Sequence, residues 1–168
     1  MVLSIKKAKR GSEFSMLTQM KVRGLMFDPP NNYVVVLRAE EGSAALPIWV
    51  GKPEANAIGL ALEGVALPRP MTLDLFKSVL DAIEARVISV VVTDLKDNTY
   101  FAKIHLLYRD AEITIDSRPS DAIALALKME IPIFVASEVI EKQSAEDSQE
   151  LERWLENLRP DDFGQRDA

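Results

Sequence analysis

The segment "IDSRPSDAIALALK" (residues 115–128) joins a predicted strand to a predicted helix, and its pattern organises the whole chain. Ser117 or Ser120 is placed to cap the helix, and Pro119 suits its first turn. Asp121 would lie near the positive end of the helix dipole. The six residues that follow Asp121 are all apolar, which predicts a helix buried on all sides.

Two residues of this segment, Asp116 and Arg118, are not needed to begin a helix. Together with Asp121 they place two carboxylates and a guanidinium at one corner between a strand and a helix. Carboxylates that converge from a strand end and a helix start are suited to Mg²⁺ or Mn²⁺, which prefer oxygen ligands. The corner is therefore a candidate metal site as well as a helix start, and both interpretations stay open.

A similar corner occurs earlier, in "RPMTLD" (residues 69–74), where Thr72 is a candidate N-cap. Arg69 and Asp74 would add a second guanidinium and a third carboxylate to any cleft between the two corners. Glu54, at the start of an earlier predicted helix, would be a fourth carboxylate. The alternative is that these residues only begin helices, because acids are favoured in a first turn.

The apolar helix has a counterpart earlier in the chain. At a constant offset of 65 residues, "AIGLAL" (residues 57–62) aligns with "AIALAL" (residues 122–127) with one difference. Two apolar strand positions align at the same offset, Ile48 with Ile113 and Val50 with Ile115. We interpret this as an internal duplication.

Strand-like segments precede both repeat helices. They are "MKVRGLMF", "YVVVLRA" and "ALPIWV" before the first helix, and "VISVVVTDL", "TYFAKIHLLY" and "AEITID" before the second. A short apolar strand, "IPIFV", follows. The predicted fold class is α+β: two β-β-β-α units with an inserted amphipathic helix, buried repeat helices packed on an antiparallel or mixed sheet, and a C-terminal helix.

The inserted helix is predicted from Thr72 to about residue 85. Its apolar stripe consists of Leu73, Phe76, Leu80 and Ile83, which recur at helical spacing. We expect this stripe to face the core.

The boundaries follow from composition. Residues 1–19 show no sustained period and are interpreted as a flexible leader or tag. Residues 20–140 form the domain, and residues 141–168 form an acidic helix and tail, with Trp154 on the apolar side of the helix.

Composition narrows the possible classes of protein. The chain has 168 residues, 48% of them hydrophobic, which fits one domain. It has no cysteine and no apolar run near the roughly 20 residues that span a bilayer. A soluble protein without a membrane partner, located in the cytoplasm, is therefore expected. The one histidine, His105, and the absence of a Gly-rich phosphate loop argue against a zinc site rich in histidine and against a nucleotide fold.

The net charge of −6 comes from the end of the chain. From Glu138 onward there are ten acids and four bases, a difference of −6. Proteins that bind extensive nucleic-acid surfaces usually show a basic stripe, and none is visible here. A small site that a metal ion makes locally positive remains compatible with this composition.

Four segments carry a family resemblance. In their order and spacing, "LPIWVGKPEANAI", "RPMTLDL", "DNTYFAKI" and "IDSRPSDAIALAL…IPIFV" resemble the bifunctional nuclease family, and "LENLRPDDF" is similar to the ending of its bacterial members. The resemblance covers about residues 20 to 140. It implies an α+β domain, a homodimer, and cleavage of both DNA and RNA.

The resemblance also implies a set of motif positions. They are Glu54, Arg69, Pro70, Thr72, Asp74, Asp116, Arg118, Pro119, Ser120 and Asp121. The chain departs from the family at Leu73, where a histidine is usual.

The leading hypothesis is a phosphodiesterase assisted by Mg²⁺ or Mn²⁺. Asp116 and Asp121, with Glu54 or Asp74, would hold the ion, and Arg69 and Arg118 would stabilise charge on the phosphate. The expected catalytic set is Arg69, Asp74, Asp116, Arg118, Ser120 and Asp121. The alternative is a homodimeric binding or regulatory module without catalysis, which the missing basic stripe and Leu73 favour.

Overall fold

The computed structural model describes residues 17–30 and 32–144. One mixed sheet contains seven strands in the order β3-β2-β1-β7-β4-β5-β6. The strands are β1 (Leu17–Asp28), β2 (Asn32–Ala39), β3 (Ala45–Val50), β4 (Arg86–Lys96), β5 (Thr99–Tyr108), β6 (Ala111–Ser117) and β7 (Ile133–Ala136). The helices are α1 (Lys52–Leu62), α2 (Thr72–Ala82), α3 (Pro119–Met129) and α4 (residues 137–144).

The predicted α+β order is confirmed. Strands β1-β2-β3 and β4-β5-β6 are antiparallel meanders, each followed by a helix, and α2 lies between the two units. Strand β7 joins the meanders by pairing antiparallel with β1 and parallel with β4. Strand β1 begins at Leu17, three residues before the predicted start of the domain.

The proposed duplication is not resolved by these elements. Helices α1 and α3 both have 11 residues, but they begin at Lys52 and Pro119, 67 positions apart. The runs that align at an offset of 65 therefore occupy positions two residues apart in the two helices. The duplication stays a prediction.

Helix α3 forms the centre of the core. Its residues Ala122–Ala126 are all buried, because α3 packs between the sheet, α1 and α2. Helix α1 lies nearer the periphery against β1 and β2, and only Ala55 and Ile58 are buried. Burial on all sides is thus confirmed for α3 and wrong for α1.

The apolar stripe predicted for α2 is only partly covered. Leu80 is buried and Leu73 packs partly against the core. Phe76 and Ile83, however, are 36% and 48% exposed. The reason is that α2 contacts the rest of the domain mainly through α3, which covers a narrow strip of the helix.

Helices α1 and α3 lie side by side and run in the same direction. Their first turns meet through Glu54 and Arg118, and their last turns line one cleft. Strands β3 and β6, which lead into them, are the two edges of the sheet. The Tyr100 hydroxyl donates to the Pro47 carbonyl at 3.3 Å, so the sheet curls and brings its two ends together.

Helix α4 packs on the β4–β5 hairpin. Val139 is buried, and the Lys142 ammonium donates to Asp94 Oδ1 at 2.9 Å. The helix predicted around Trp154 lies outside the described residues. Within residues 17–30 and 32–144, every helix is too short or too polar to cross a bilayer.

Candidate functional site

Arg118 joins the first turns of α1 and α3 through two carboxylates. Its Nε and Nη2 donate to Asp121 Oδ2 and Oδ1 at 2.7 and 3.0 Å, a bidentate contact. Its Nη1 donates to Glu54 Oε1 at 2.8 Å. We call Glu54, Arg118 and Asp121 the Arg118 cluster. The Arg118 side chain remains 63% exposed, so a ligand can reach the guanidinium.

The local sequence explains how α3 begins at this cluster. Arg118 is the N-cap residue in an extended conformation, and Pro119 occupies the first helical turn as predicted. The predicted serine cap is wrong. The N-cap position makes no side-chain hydrogen bond, Ser117 Oγ donates instead to the Arg118 carbonyl at 2.9 Å, and Ser120 is buried inside the first turn.

The charges of the cluster are unbalanced. The hydrogen bonds that Arg118 makes with Asp121, and to a smaller extent with Glu54, raise the pKa of its guanidinium. Arg118 therefore stays charged at any physiological pH. Two carboxylates against one guanidinium give a formal charge of −1. The first turns of two helices oppose this, since each presents the positive end of its dipole.

The second Arg-Pro corner forms a different contact. The Lys128 ammonium lies 2.5 Å from Asp74 Oδ1, and the Met71 backbone N–H donates to Asp74 Oδ2 at 2.9 Å. The hydrogen bond from Lys128, and to a smaller extent the one from the Met71 N–H, lower the pKa of the Asp74 carboxyl. The sequence predicted Thr72 as the N-cap of α2, but the N-cap residue is Met71.

The Asp74–Lys128 pair lies in the wall of an open cleft of about 500 Å³. The cleft is lined by the last turns of α1 and α3 and by the connection before α2, including Pro68 and Pro70. Arg69, between these prolines, is exposed. Sequence reasoning missed Lys128. Its one local signal was a lone charge at the end of an apolar helix.

The two corners are therefore separated. Asp121 is the third residue of α3 and Lys128 is the tenth, so seven helical steps of 1.5 Å place them about 10 Å apart along the axis. A single cleft that combines both corners, as the sequence suggested, is not formed. Arg69 and Asp74 lie at one end of the helix pair, and Arg118 and Asp121 lie at the other.

Asp116 is directed away from both corners. Its neighbour Ile115 packs against the core, and side chains alternate along a strand, so Asp116 lies on the opposite face of the sheet. There it is exposed and pairs in register with Lys103 of β5. In this arrangement it does not converge with Glu54 and Asp121.

The residues predicted to hold a metal ion do not fit one as they are arranged. Within residues 17–30 and 32–144, no three His, Cys, Asp or Glu side chains are grouped to hold an ion. Arg118 donates hydrogen bonds to two other predicted ligands, Glu54 and Asp121. Its positive charge therefore occupies the place between them that a metal ion would take. The Mg²⁺ or Mn²⁺ requirement stays a prediction.

Comparison with known proteins supplies the family. The sequence profile of the bifunctional nuclease domain matches residues 35–148. The chain belongs to the bifunctional nuclease family. In this family member, Leu73, where the sequence departs from the motif that the resemblance implies, packs partly against the core.

Relatives of this bifunctional nuclease domain occur in bacteria and plants. An uncharacterized protein of Mycobacterium tuberculosis is 34% identical over 162 residues, which cover 86% of this chain and 97% of the relative. Bifunctional nuclease 1 of Oryza sativa subsp. indica is 29% identical over 64% of this chain. Bifunctional nuclease 2 of Arabidopsis thaliana is 31% identical over 60%. The matches cover 34% and 32% of the two plant proteins.

Proposed function

We propose that this domain hydrolyses phosphodiester bonds of DNA and RNA at the Arg118 cluster. The observation that carries the proposal is an exposed guanidinium held where two parallel helices begin. Arginine can bind phosphate oxygens with two parallel N–H groups, and helix N-termini favour anions. The names of the plant relatives support a nuclease function.

The carboxylates of the cluster have a chemical role in this proposal. When a phosphate binds Arg118, it replaces one of the two carboxylates on the guanidinium. Asp121, whose side chain is 48% exposed against 20% for Glu54, is the one that solvent reaches more easily. Released Asp121 accepts a proton from the water as it attacks phosphorus, and Arg118 stabilises the charge that develops on the phosphate. The P–O bond to the leaving oxygen then breaks, and Asp121 gives the proton to that oxygen. No step depends on a metal ion.

A second candidate function, a binding or regulatory module without catalysis, is favoured by a specific observation. Arg118 is bonded to two carboxylates, and Asp74 is bonded to Lys128 and to a backbone amide. Each of these charged side chains is therefore paired with another group of the domain and has a structural role without a substrate. In this case Arg118 would bind an anionic ligand without cleaving it.

The proposal includes self-association through an exposed apolar surface. We define the α2 face as the exposed side chains of Leu67, Met71, Leu75, Phe76, Val79 and Ile83. Each of these large apolar side chains is more than a third exposed, and a group of exposed apolar side chains often marks a surface that binds another protein. A second copy is the proposed partner, because a two-fold axis pairs the α2 face with itself.

The cytoplasmic location expected from composition stays a prediction.

The experiment is a nuclease assay on homogeneous protein with end-labelled DNA and RNA oligonucleotides. Wild type is compared with Arg118→Ala, Asp121→Asn and a control on the opposite sheet face, Lys103→Ala. We expect Arg118→Ala to lower kcat/KM by about 100-fold, as loss of a charge-stabilising donor does, and Lys103→Ala to retain cleavage. Equal cleavage by all four proteins would identify a contaminant and overturn the catalytic proposal. Oligonucleotide binding without cleavage would instead support the second candidate.

A further inference from the structure

Gly51, the N-cap residue of α1, is overlaid by the carboxylate of Glu54. A Cβ atom added to Gly51 would lie 2.6 Å from Glu54 Oε2 and 3.6 Å from Glu54 Cδ. Carbon–oxygen contacts this short do not occur without movement of one group. Glu54 therefore occupies space that is free only because residue 51 has no side chain.

The need for glycine here does not come from the backbone. Gly51 has φ −73° and ψ 166°, an extended conformation open to every residue. Gly64, by contrast, has φ +61° with nothing near its Cβ position. Gly59, inside α1, would place a Cβ 3.7 Å from Leu25 Cδ2, an ordinary contact. The constraint at Gly51 is therefore steric and comes from Glu54.

The consequence reaches Arg118 through the second oxygen of the same carboxylate. While Oε2 lies over Gly51, Oε1 accepts the hydrogen bond from Arg118 Nη1 at 2.8 Å. Asp121 holds the Nε and Nη2 edge of the guanidinium. The guanidinium is thus held from two sides, and its orientation depends on Glu54 staying folded back over Gly51.

We infer that Gly51 is a positioning residue, which sets the orientation of the Arg118 guanidinium by leaving room for the Glu54 carboxylate. A methyl group at position 51 would turn the end of Glu54 away, because that end is flexible and the backbone is not. Arg118 would lose its contact with Glu54 and keep the one with Asp121. The catalytic consequence rests on the proposed function, whereas the geometric one does not.

The test compares Gly51→Ala with Gly59→Ala, each made in wild type and in Glu54→Ala. The first readout is the NMR signal of the Arg118 Nε–H group, which reports its hydrogen bonding whether or not the protein is a nuclease. We expect Gly51→Ala to shift this signal as Glu54→Ala does, to add no further shift in the Glu54→Ala protein, and to leave the unfolding temperature near that of wild type. Gly59→Ala should leave the signal in place. An unshifted signal in Gly51→Ala, or an equal further shift in the Glu54→Ala protein, would overturn the inference.

The second readout is the kinetics of oligonucleotide cleavage. Misorientation of Arg118 should lower kcat by about 5-fold, the equivalent of ~1 kcal/mol. KM should not rise, because the guanidinium keeps its positive charge and has one carboxylate fewer to neutralise it. A raised KM with unchanged kcat would contradict a positioning role. If wild type does not cleave, the proposed function fails, and the NMR readout still decides the role of Gly51.

Discussion

Asp74 is paired with Lys128, the tenth residue of the helix whose third residue is Asp121. Helix α3 therefore acts as a spacer between two corners that look alike in the sequence. One end of α3 presents Arg118 between two carboxylates, and the other end presents a lysine to a single carboxylate. This relationship separates the candidate residues into two groups, which can be tested independently.

The fork geometry of Arg118 can be tested with Arg118→Lys. Lysine keeps the positive charge but cannot bond Asp121 with two parallel N–H groups and Glu54 with a third. We expect kcat/KM for oligonucleotides to fall about 10-fold, or ~1.4 kcal/mol, which is less than the loss in Arg118→Ala. Steady-state kinetics of the two variants measure this. Equal losses would show that orientation, and not charge, supplies the whole effect.

Asp116→Asn separates the structure-based site from the sequence-based one. Because Asp116 lies on the opposite face of the sheet, the substitution should leave the Arg118 cluster intact and change stability by less than about 0.5 kcal/mol. Cleavage should remain within a factor of about 2 of wild type, as expected for a surface substitution away from the site. A loss as large as that in Asp121→Asn would return Asp116 to the catalytic set.

The Asp74–Lys128 pair should make stability depend on pH. The pKa of Asp74 is lowered in the folded protein from its ordinary value of 3.8. Such a carboxyl stabilises the fold above its unfolded pKa, and this stabilisation is lost as pH falls through the folded pKa. Asp74→Asn should therefore cost about 1 kcal/mol of unfolding free energy at pH 7, as partly exposed ion pairs do, and the cost should disappear well below pH 3.8.

Urea unfolding of Asp74→Asn and wild type at pH 7 and at low pH measures this difference. Asparagine keeps an oxygen for the Met71 N–H, so the variant isolates the charge. A deficit of the same size at both pH values would mean that the charge of Asp74 contributes nothing.

The α2 face should control the association state. Val79→Asp places a charge in the middle of the stripe, and we expect the dissociation constant of the dimer to rise at least about 10-fold, or ~1.4 kcal/mol. Sedimentation velocity over a range of concentrations measures this. Phe101→Asp is the matched control, because Phe101 is 40% exposed on a different surface. A wild-type protein that stays monomeric at all concentrations would exclude the interface.

Competition between Arg118 and a metal ion gives a direct test of the metal prediction. If Glu54 and Asp121 can hold Mn²⁺, then Arg118→Ala should bind it more tightly than wild type, because the ion no longer has to displace a guanidinium. Electron paramagnetic resonance titration detects bound Mn²⁺, with Arg118→Ala/Asp121→Asn as the control. Tighter binding by wild type than by Arg118→Ala would show that these carboxylates are not the ligands.

The periodicity of the sequence was enough to predict the element order. Strand-like apolar segments between turns marked the strands, with alternation of apolar and polar residues clearest in β5 and a short apolar run at β7. These patterns are informative because each reflects the burial of the element's own side chains. The exposed residues of α2 escaped the same reasoning, since amphipathicity shows that a face is apolar but not how much of it the fold covers.

The sequence by itself determined the α+β fold, the family and the corner at which Arg118 begins α3. Only the tertiary structure decided which charges meet. Glu54 accepts a hydrogen bond from Arg118, 64 positions away in the chain. Asp74 pairs with Lys128 and does not share a cleft with Asp121. The physical reason is that a local pattern records whether a residue is buried or begins a helix, whereas partners across helices depend on α1 and α3 packing side by side in the same direction.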